Sequence, residues 1–253
     1  MKINIVLFII ILFLEEGCQK DLNDTSNSTN HATTTSIPKV YKKIYGATSM
    51  SSDGNYLTIK TNATPDHKSV YYPTNHPLYE NFSGTTFGGN KFGKNPNTIS
   101  SFNLTFKIPL NPKEATNHSA TPLGPIGIAL NGVPFFNQYA GGGAPLTNEV
   151  VSFDQYWEHP QQQGQYHYHV EPLYLTNVKF TKSSLLGFLL DGFPVYGPEE
   201  NGKPVSNDQL DAYHGHHHAT AEFPNGIYHY HITNIDPYIN GNGFYGTAGT
   251  VSM

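Results

Sequence analysis

The sequence predicts a mainly β protein: one β-rich domain, sandwich-like or barrel-like, with an internal duplication and short helices in the excursions between strands. Aromatic residues, which are enriched in strands, make up 13% of the 253 residues. Glycine (24 residues) and proline (18 residues) recur as turn formers along the chain. No long segment shows the 3.6-residue apolar period of an amphipathic helix. These observations favour short strands joined by turns.

The N-terminus has the pattern of an export signal. An apolar run from Ile3 to Leu14 is too short to span a bilayer and has the length of a signal-peptide core. Cys18, the only cysteine, follows it and resembles the lipid-accepting residue of bacterial lipoproteins; the alternative is a secreted protein with an unmodified cysteine. Gln19-Lys20-Asp21 resembles the signal that sends lipoproteins of Bacteroidetes-type bacteria to the cell surface. We therefore predict a signal peptide at residues 1–18 and an outer-membrane lipoprotein that faces the exterior and touches the membrane only through its lipid anchor.

Residues 19–40 are predicted to be a flexible tether, and residues 41–253 the folded domain. The tether is rich in Ser, Thr and Asn and has too few apolar side chains to offset its ordering entropy by burial. The first strands are expected at Tyr56–Ile59, Val70–Tyr72 and Phe102–Ile108. Charged residues are only 13% of the chain and the formal net charge is −5, so nucleic acid is not expected as a partner.

Two hairpin sequences repeat one another without gaps. Gly127–Phe136 aligns with Gly187–Tyr196, and each has Asn-Gly or Asp-Gly between two apolar runs, a pattern that favours a type I′ turn. Further along, Asp154 and His159 align with Asp211 and His216, and a Tyr-His-Tyr-His segment follows in each copy. The sequence thus predicts a duplicated unit at about residues 124–172 and 184–237.

The two Tyr-His-Tyr-His segments, called here the first YHYH segment (Tyr166–His169) and the second YHYH segment (Tyr228–His231), are candidate metal-binding strands. Side chains alternate along a strand, so each segment places two histidines on one face and two tyrosines, expected to pack, on the other. Imidazole is a preferred ligand of zinc and copper, and a third histidine from a nearby loop would leave coordination positions open. The predicted ligands are His159, His167 and His169 (the first histidine set) and His216, His229 and His231 (the second histidine set).

The predicted cofactor is therefore a transition metal, copper or zinc. One shared site and two separate sites both agree with the sequence. In the alternative without metal, tyrosines pack in the core and histidines form ordinary hydrogen bonds. Asp154 and Asp211 are candidates for accepting the second ring N–H of a ligand histidine, and each is also placed to cap a short helix.

The other histidines divide into three groups. Three lie in a Gly-containing loop around His216, which either binds metal weakly or is simply polar: His214, His217 and His218. His76, before Pro77, is a candidate remote ligand. Three have no partner in sequence and are expected to be exposed to solvent: His31, His67 and His118.

Several strings of residues between about Tyr45 and Gly249 carry a family resemblance: Asn75-His76-Pro77, Asn95-Pro96-Asn97, Gly127 to Pro134, Gly164 to His169, Leu186 to Pro198, and Phe223 through His231 to Tyr238. With these motifs the chain resembles the YHYH-domain proteins. The resemblance implies a domain found on exported proteins and supports the domain boundaries. It implies no particular reaction.

Three functions are compatible with the sequence. The leading hypothesis is an exported protein that binds copper or zinc through the repeated histidines. The second is a metal-dependent hydrolase or oxidase in which the open position activates water or dioxygen, with Asp191, Glu171 and Glu222 as nearby carboxylates. The third is a non-catalytic glycan-binding or adhesive module in which Trp157, the sole tryptophan, stacks on sugar. The partners expected are a metal ion and a small-molecule or glycan ligand.

Overall fold

The computed structural model describes residues 36–241 and 243–253, which fall within one compact unit. Its strands are β1 (Ser49–Ser52), β2 (Tyr56–Thr61), β3 (Leu104–Pro109), β4 (Pro125–Ala129), β5 (Pro134–Phe136), β6 (His159–Pro160), β7 (Tyr166–His167), β8 (Leu185–Leu189), β9 (Pro194–Tyr196), β10 (Glu199–Glu200), β11 (Lys203–Pro204), β12 (Gly215–His218), β13 (Ile227–His231) and β14 (Thr250–Ser252). The helical segments are 3₁₀ turns at Tyr41–Lys43, Phe87–Gly89, Gly141–Gly143, Leu146–Asn148, Val150–Ser152 and Asn207–Gln209, and a π-helical turn at Tyr174–Lys179. The prediction of a mainly β fold is confirmed.

The predicted signal peptide with Cys18, and residues 19–35 of the predicted tether, lie outside the described residues. Among the residues that are described, no helix has the length and hydrophobicity needed to cross a membrane.

Two main sheets share one hydrophobic core. The first has the strand order β1-β2-β3-β14 and the second the order β12-β13-β9-β8-β4-β5, while β6-β7 and β10-β11 form two-stranded ribbons. Buried side chains of both sheets, such as Phe106 and Phe188, belong to the same core cluster. The described residues form no closed barrel, so the fold resembles a sandwich.

The four-stranded sheet follows the two-residue alternation of its sequence. Leu57 pairs with Ile108 and Ile59 with Phe106 across β2 and β3, and all four side chains are fully buried. Burying a side chain of this kind contributes about 1.5–3 kcal/mol. The strand predictions for Tyr56–Ile59 and Phe102–Ile108 are therefore confirmed in substance.

The third strand prediction, Val70–Tyr72, is wrong. The segment forms a turn closed on Ser69, because the amide of Tyr72 donates to the Ser69 carbonyl and that of Tyr71 to the Ser69 hydroxyl. Its side chains are buried nonetheless. The apolar run Val70–Tyr72 therefore indicates a buried segment and not a strand.

The two repeated hairpins, β4-β5 and β8-β9, form four consecutive strands of the six-stranded sheet. Their turns are not of type I′, because Asn131 and Asp191 are not among the residues with positive φ, whereas Gly132 and Gly192 both have φ of 85°. Each glycine takes the left-handed position after a turn, and each Asn or Asp side chain accepts the amide two residues on. Asn-Gly and Asp-Gly identified the hairpins correctly but not their turn type.

The contact between the hairpins is symmetric. In the antiparallel pairing of β4 with β8, Ile128 lies opposite Phe188, with Gly127 opposite Leu189 on one side and Gly187 opposite Ala129 on the other. Each residue of one hairpin thus pairs with the residue that a two-fold rotation about the Ile128–Phe188 pair would place opposite it. The pairing therefore has a local two-fold symmetry. A duplicated sequence would produce this register, and the duplication itself stays a prediction.

The second YHYH segment forms most of β13, next to the edge strand β12, and the first YHYH segment lies beside β5, the edge strand on the opposite side. β13 pairs in parallel with β9 through Tyr230 and Val195, and Tyr168 forms a parallel bridge with Phe135 of β5. Four strands separate the two segments, which at about 4.8 Å per strand places them about 24 Å apart. The two histidine sets therefore belong to two separate sites, and the shared site is excluded.

We predict that Gly187→Ala destabilises the domain by about 2 kcal/mol or more, because a methyl group there would clash with the Ile128 carbonyl oxygen. Gly93→Ala is the matched control, since a methyl group at Gly93 meets nothing within 4 Å, and its effect should stay within about 0.5 kcal/mol. Urea denaturation measures both. Equal stability of the two variants would contradict the close approach of β4 and β8.

Candidate metal centres

The first histidine set is brought together by the β6-β7 ribbon. His159 on β6 lies directly opposite His167 on β7, and His169 follows two residues later on the same face. The Nε2 atoms of His167 and His169 are 2.8 Å apart, and one ligand atom from each of the three rings lies within 4.8 Å of the others. All three residues are buried.

Hydrogen bonds fix the tautomer of these rings. Nδ1 of His167 donates to the Gln165 carbonyl at 3.0 Å and Nδ1 of His169 to the Asn137 carbonyl at 2.6 Å. Nδ1 of His159 lies 2.7 Å from the Ser152 hydroxyl, whose own proton is donated to the Glu149 carbonyl. A carbonyl only accepts, and this hydroxyl has no second proton, so each Nδ1 carries the hydrogen. Each neutral ring therefore directs an Nε2 lone pair into the cluster.

The second histidine set repeats this arrangement. His216 on β12 lies opposite His229 on β13, and the Nε2 atom of His229 is 3.1 Å from that of His216 and 3.2 Å from that of His231. Nδ1 of His229 donates to the Ile227 carbonyl and Nδ1 of His231 to the Gly197 carbonyl.

The backbone carbonyls that accept the Nδ1 hydrogen bonds occupy equivalent positions in the two repeats. Gln165 and Ile227 each precede their histidine by two residues, and Asn137 and Gly197 each follow the last residue of their hairpin. The backbone therefore orients both histidines of each YHYH segment, which explains why side-chain spacing alone did not reveal the acceptors.

The tyrosines on the other face hold each YHYH segment against the core. Tyr166 donates to Asp154 and Tyr228 to Asp211, each at 2.9 Å. The second tyrosine of each segment bonds to the turn residue of the neighbouring hairpin: Tyr168 with Asn131 at 2.7 Å and Tyr230 with Asp191 at 2.6 Å. All four tyrosines are buried. They are packing and anchoring groups, as expected.

Asp154 and Asp211 do not have the expected role beside the ligand histidines. Each carboxylate accepts a tyrosine hydroxyl and the amide two residues on, that of Tyr156 or Tyr213, while the Nδ1 partners of the ligand rings are the groups named above. Each aspartate also opens an equivalent tight turn, in which Trp157 or His214 takes a positive φ. The capping alternative was thus closer to the structure, although the capped element is a turn that leads into β6 or β12.

Two carboxylates that the sequence spacing did not identify lie close to the histidine sets. Glu200, from the β10-β11 ribbon, joins the second set, with Oε1 at 3.7 Å from Nε2 of His216 and 3.8 Å from Nε2 of His229. Glu149 lies 3.6 Å from Nε2 of His159. They occupy different positions in the two repeats, so the repeat alignment contains no signal for either.

None of the carboxylates predicted from sequence belongs to either histidine set within the described residues. Asp191 anchors Tyr230, and buried Glu171 accepts the hydroxyl of Thr176. Glu222 bonds to Tyr196 and Lys43 and lines the cavity next to the second set.

A family model described as YHYH protein matches residues 105–208. This segment therefore matches a YHYH domain. The matched segment contains the first YHYH segment and the second hairpin, and it ends before the second YHYH segment. No curated protein and no solved structure gives a significant match.

Burial keeps the imidazole rings of both histidine sets neutral. It lowers the pKa of His159 to about 3 and the pKa of His169 to about 4, and it lowers that of His167 well below 6.5. In the second set burial lowers the pKa values of His229 and His231 to about 4, and it also lowers that of His216. Protons therefore compete weakly for these Nε2 lone pairs at neutral pH.

The spacing of the Nε2 atoms suits a metal ion. Two Nε2 lone pairs that face each other at 2.8–3.2 Å have no proton to share. A tetrahedral ion with bonds of about 2.0–2.1 Å holds its nitrogens about 3.3 Å apart. Small ring movements would therefore satisfy an ion, and Nε2 of His159, which is buried without a hydrogen-bond partner among the described residues, would gain one. The arrangement is compatible with metal binding.

Three of the other histidines lie away from both sets. His67 is 3% exposed, which corrects the expectation of solvent exposure; it packs against the rings of Tyr156, Tyr166 and Tyr174. His76 stacks on Tyr72, and His118 stacks on Tyr213. His76 is therefore not a remote ligand of either set.

The three histidines around His216 differ in their exposure to solvent. His214 is buried and bonds to Thr233, whereas His217 is exposed, as is His218, which bonds to Glu200. His31 lies outside the described residues.

We predict that the metal-free YHYH domain loses stability as pH falls from 7 towards 4. Folding lowers the pKa of eight histidines below 6.5, so below this pH the unfolded chain binds more protons than the folded chain; they are His67, His159, His167, His169, His214, His216, His229 and His231. Three buried acids with raised pKa values oppose this effect but are fewer: Asp154, Glu158 and Asp191.

Urea denaturation in the presence of a chelator at pH 7, 6 and 5 measures this loss. Between pH 8 and 9 the histidines are almost fully neutral in both states, so their contribution should stay constant there. A stability that rises as pH falls from 7 to 5 would contradict the burial of neutral histidines.

Proposed function

We propose that this protein binds transition-metal ions, copper or zinc, at two separate centres, one for each histidine set. The proposal rests on one observation above all: three imidazoles in each set are oriented by Nδ1 hydrogen bonds or strand pairing so that their Nε2 atoms converge. Such a geometry has no function in packing alone, because converging lone pairs repel one another unless a cation lies between them.

The donor atoms favour copper or zinc over harder ions. Imidazole nitrogen suits zinc and copper, whereas magnesium and calcium prefer sites built from oxygen. The first set offers three nitrogens, and the second offers three nitrogens with Glu200 near them. Each ion would keep a coordination position for water or another ligand.

A metal-dependent hydrolase or oxidase is the second candidate function. It is favoured by the cavities next to the sets, since His229 and His231 line one of about 950 Å³ and all three histidines of the first set line another of about 610 Å³. A bound ion with an open position would face solvent-accessible space there.

The glycan-binding alternative has lost its main support. Trp157 packs edge-on against Phe87, with ring centroids 5.2 Å apart, and is partly buried in a small cluster. Its ring is only partly exposed, which leaves less of it for stacking on a sugar.

We predict that the purified domain, prepared without a histidine tag, binds two equivalents of zinc or copper. His167→Ala with His169→Ala should remove one equivalent, and His229→Ala with His231→Ala should remove the other. Because the centres are about 24 Å apart by strand spacing, neither pair should abolish binding at the other centre. Isothermal titration calorimetry and elemental analysis measure the stoichiometry.

His118→Ala is the matched control, because His118 lies outside both sets and should leave the stoichiometry at two. Circular dichroism checks that each variant is folded. Absence of tight binding to the unaltered domain, or stoichiometry unchanged in both double variants, would refute the proposal.

We also propose that the protein is exported and anchored to the outer face of the outer membrane through Cys18. The apolar run from Ile3 to Leu14 and the residues after Cys18 support this placement. In a bacterial host, labelled palmitate should be incorporated into the full chain and lost in Cys18→Ser. Labelling that persists in the variant would contradict the anchor.

A further inference from the structure

The cavity next to the second histidine set has a wall of lysines and aromatic rings. It has a volume of about 950 Å³, large for a small-molecule site. His229 and His231 lie on one wall, and Tyr45, Phe180 and Tyr196 contribute rings to the rest. An ion bound by the second set would therefore face this space.

Two of the lysines of the wall have no carboxylate partner. Lys43 pairs with Glu222 at 2.5 Å. Lys42 and Lys179 are exposed and form no ion pair with any residue that the structure describes. Lys179 instead places Nζ 4.6 Å from the centroid of the Tyr45 ring, so a cation and an aromatic face are presented together.

The charge of the wall is positive once an ion is bound. Glu200 belongs to the histidine set and Glu222 is neutralised by Lys43, which leaves Glu199 as the remaining carboxylate of the wall. Lys42, Lys179 and the ion's uncompensated charge outweigh it. An anion entering the cavity would gain attraction from both ends.

The cavity next to the first histidine set differs in this respect, although the two sets match. Its polar wall consists mainly of amides, among them Asn95, Asn97, Gln161 and Gln162. No lysine lines it within the described part of the chain, and Glu149 is its one carboxylate. The two histidine sets thus have similar geometry, but the walls of the two cavities beside them differ in charge.

We infer that the second centre accepts an organic anion with an apolar or aromatic body, of the carboxylate class, in the cavity lined by Lys42, Lys179 and Tyr45. This inference rests on the proposed metal binding. The anionic group binds near the lysines or at the open position of the ion, and the body packs on the rings of Tyr45 and Phe180. The first centre, whose wall contains Glu149 and no lysine among the described residues, does not share this preference for an anion.

Cobalt(II), whose visible spectrum reports on its ligands, is the probe for the test. The full domain is loaded with cobalt and titrated with benzoate, acetate, inorganic phosphate and benzyl alcohol. Benzoate should change the spectrum saturably and more tightly than acetate or phosphate, and benzyl alcohol should have no comparable effect. Raising the salt concentration should weaken the benzoate response, because the lysines are exposed.

Lys42→Gln and Lys179→Gln should each weaken benzoate binding about two- to fivefold, the usual range for an exposed ion pair. Lys60→Gln is the control: Lys60 is exposed on β2, does not line the cavity, and forms no ion pair with a described residue. Cobalt content should stay the same in all three variants.

The outcomes separate this inference from the proposed function. Failure of the domain to take up cobalt would overturn metal binding and this inference with it. A cobalt-loaded domain that ignores benzoate, or binds it equally well in both lysine variants, would overturn the anion site alone. An equal response to phosphate and benzoate would overturn the apolar body of the ligand.

Discussion

The alternation of tyrosine and histidine in the two YHYH segments governs the rest of the structure. The tyrosine hydroxyls bond to Asp154, Asp211, Asn131 and Asp191, which fixes one face of each segment to the core. Since side chains alternate, the histidines must then project together on the opposite face. Each of these hydrogen bonds contributes about 1–3 kcal/mol. Together the four fix the positions of the four imidazoles on the two segments, those of His167, His169, His229 and His231.

The histidines are held in a state that is unfavourable on its own. Their rings are buried, neutral and oriented with lone pairs converging, an arrangement that neither solvent nor protons relieve at neutral pH. A fold tends to keep such an arrangement where a ligand compensates for it. The same burial that lowers the affinity for protons leaves the nitrogen atoms free for a metal ion.

The sequence predicted the centres better than their surroundings. Two-residue alternation and the repeat identified the β class, the hairpins and the six histidines that the structure groups in threes. It did not reveal Glu200, Glu149 or Ser152, because they reach the sets through tertiary packing and have no repeated spacing. His67 was misjudged because burial depends on Tyr156, Tyr166 and Tyr174, which are distant in sequence. The turn type was misjudged because the left-handed residue is Gly132 or Gly192 alone.

Each histidine set spans a pairing between two strands. His216 lies on β12, the edge strand of the six-stranded sheet, and faces His229 on β13, whereas His159 and His167 face each other across the separate β6-β7 ribbon. Exposed edges are where β proteins add foreign strands and aggregate. An ion bound across β12-β13 or β6-β7 would hold the two paired strands together. Its removal would destabilise these pairings before the interior of the sheet. Metal supply would then govern how the molecule behaves towards its neighbours as well as what it binds.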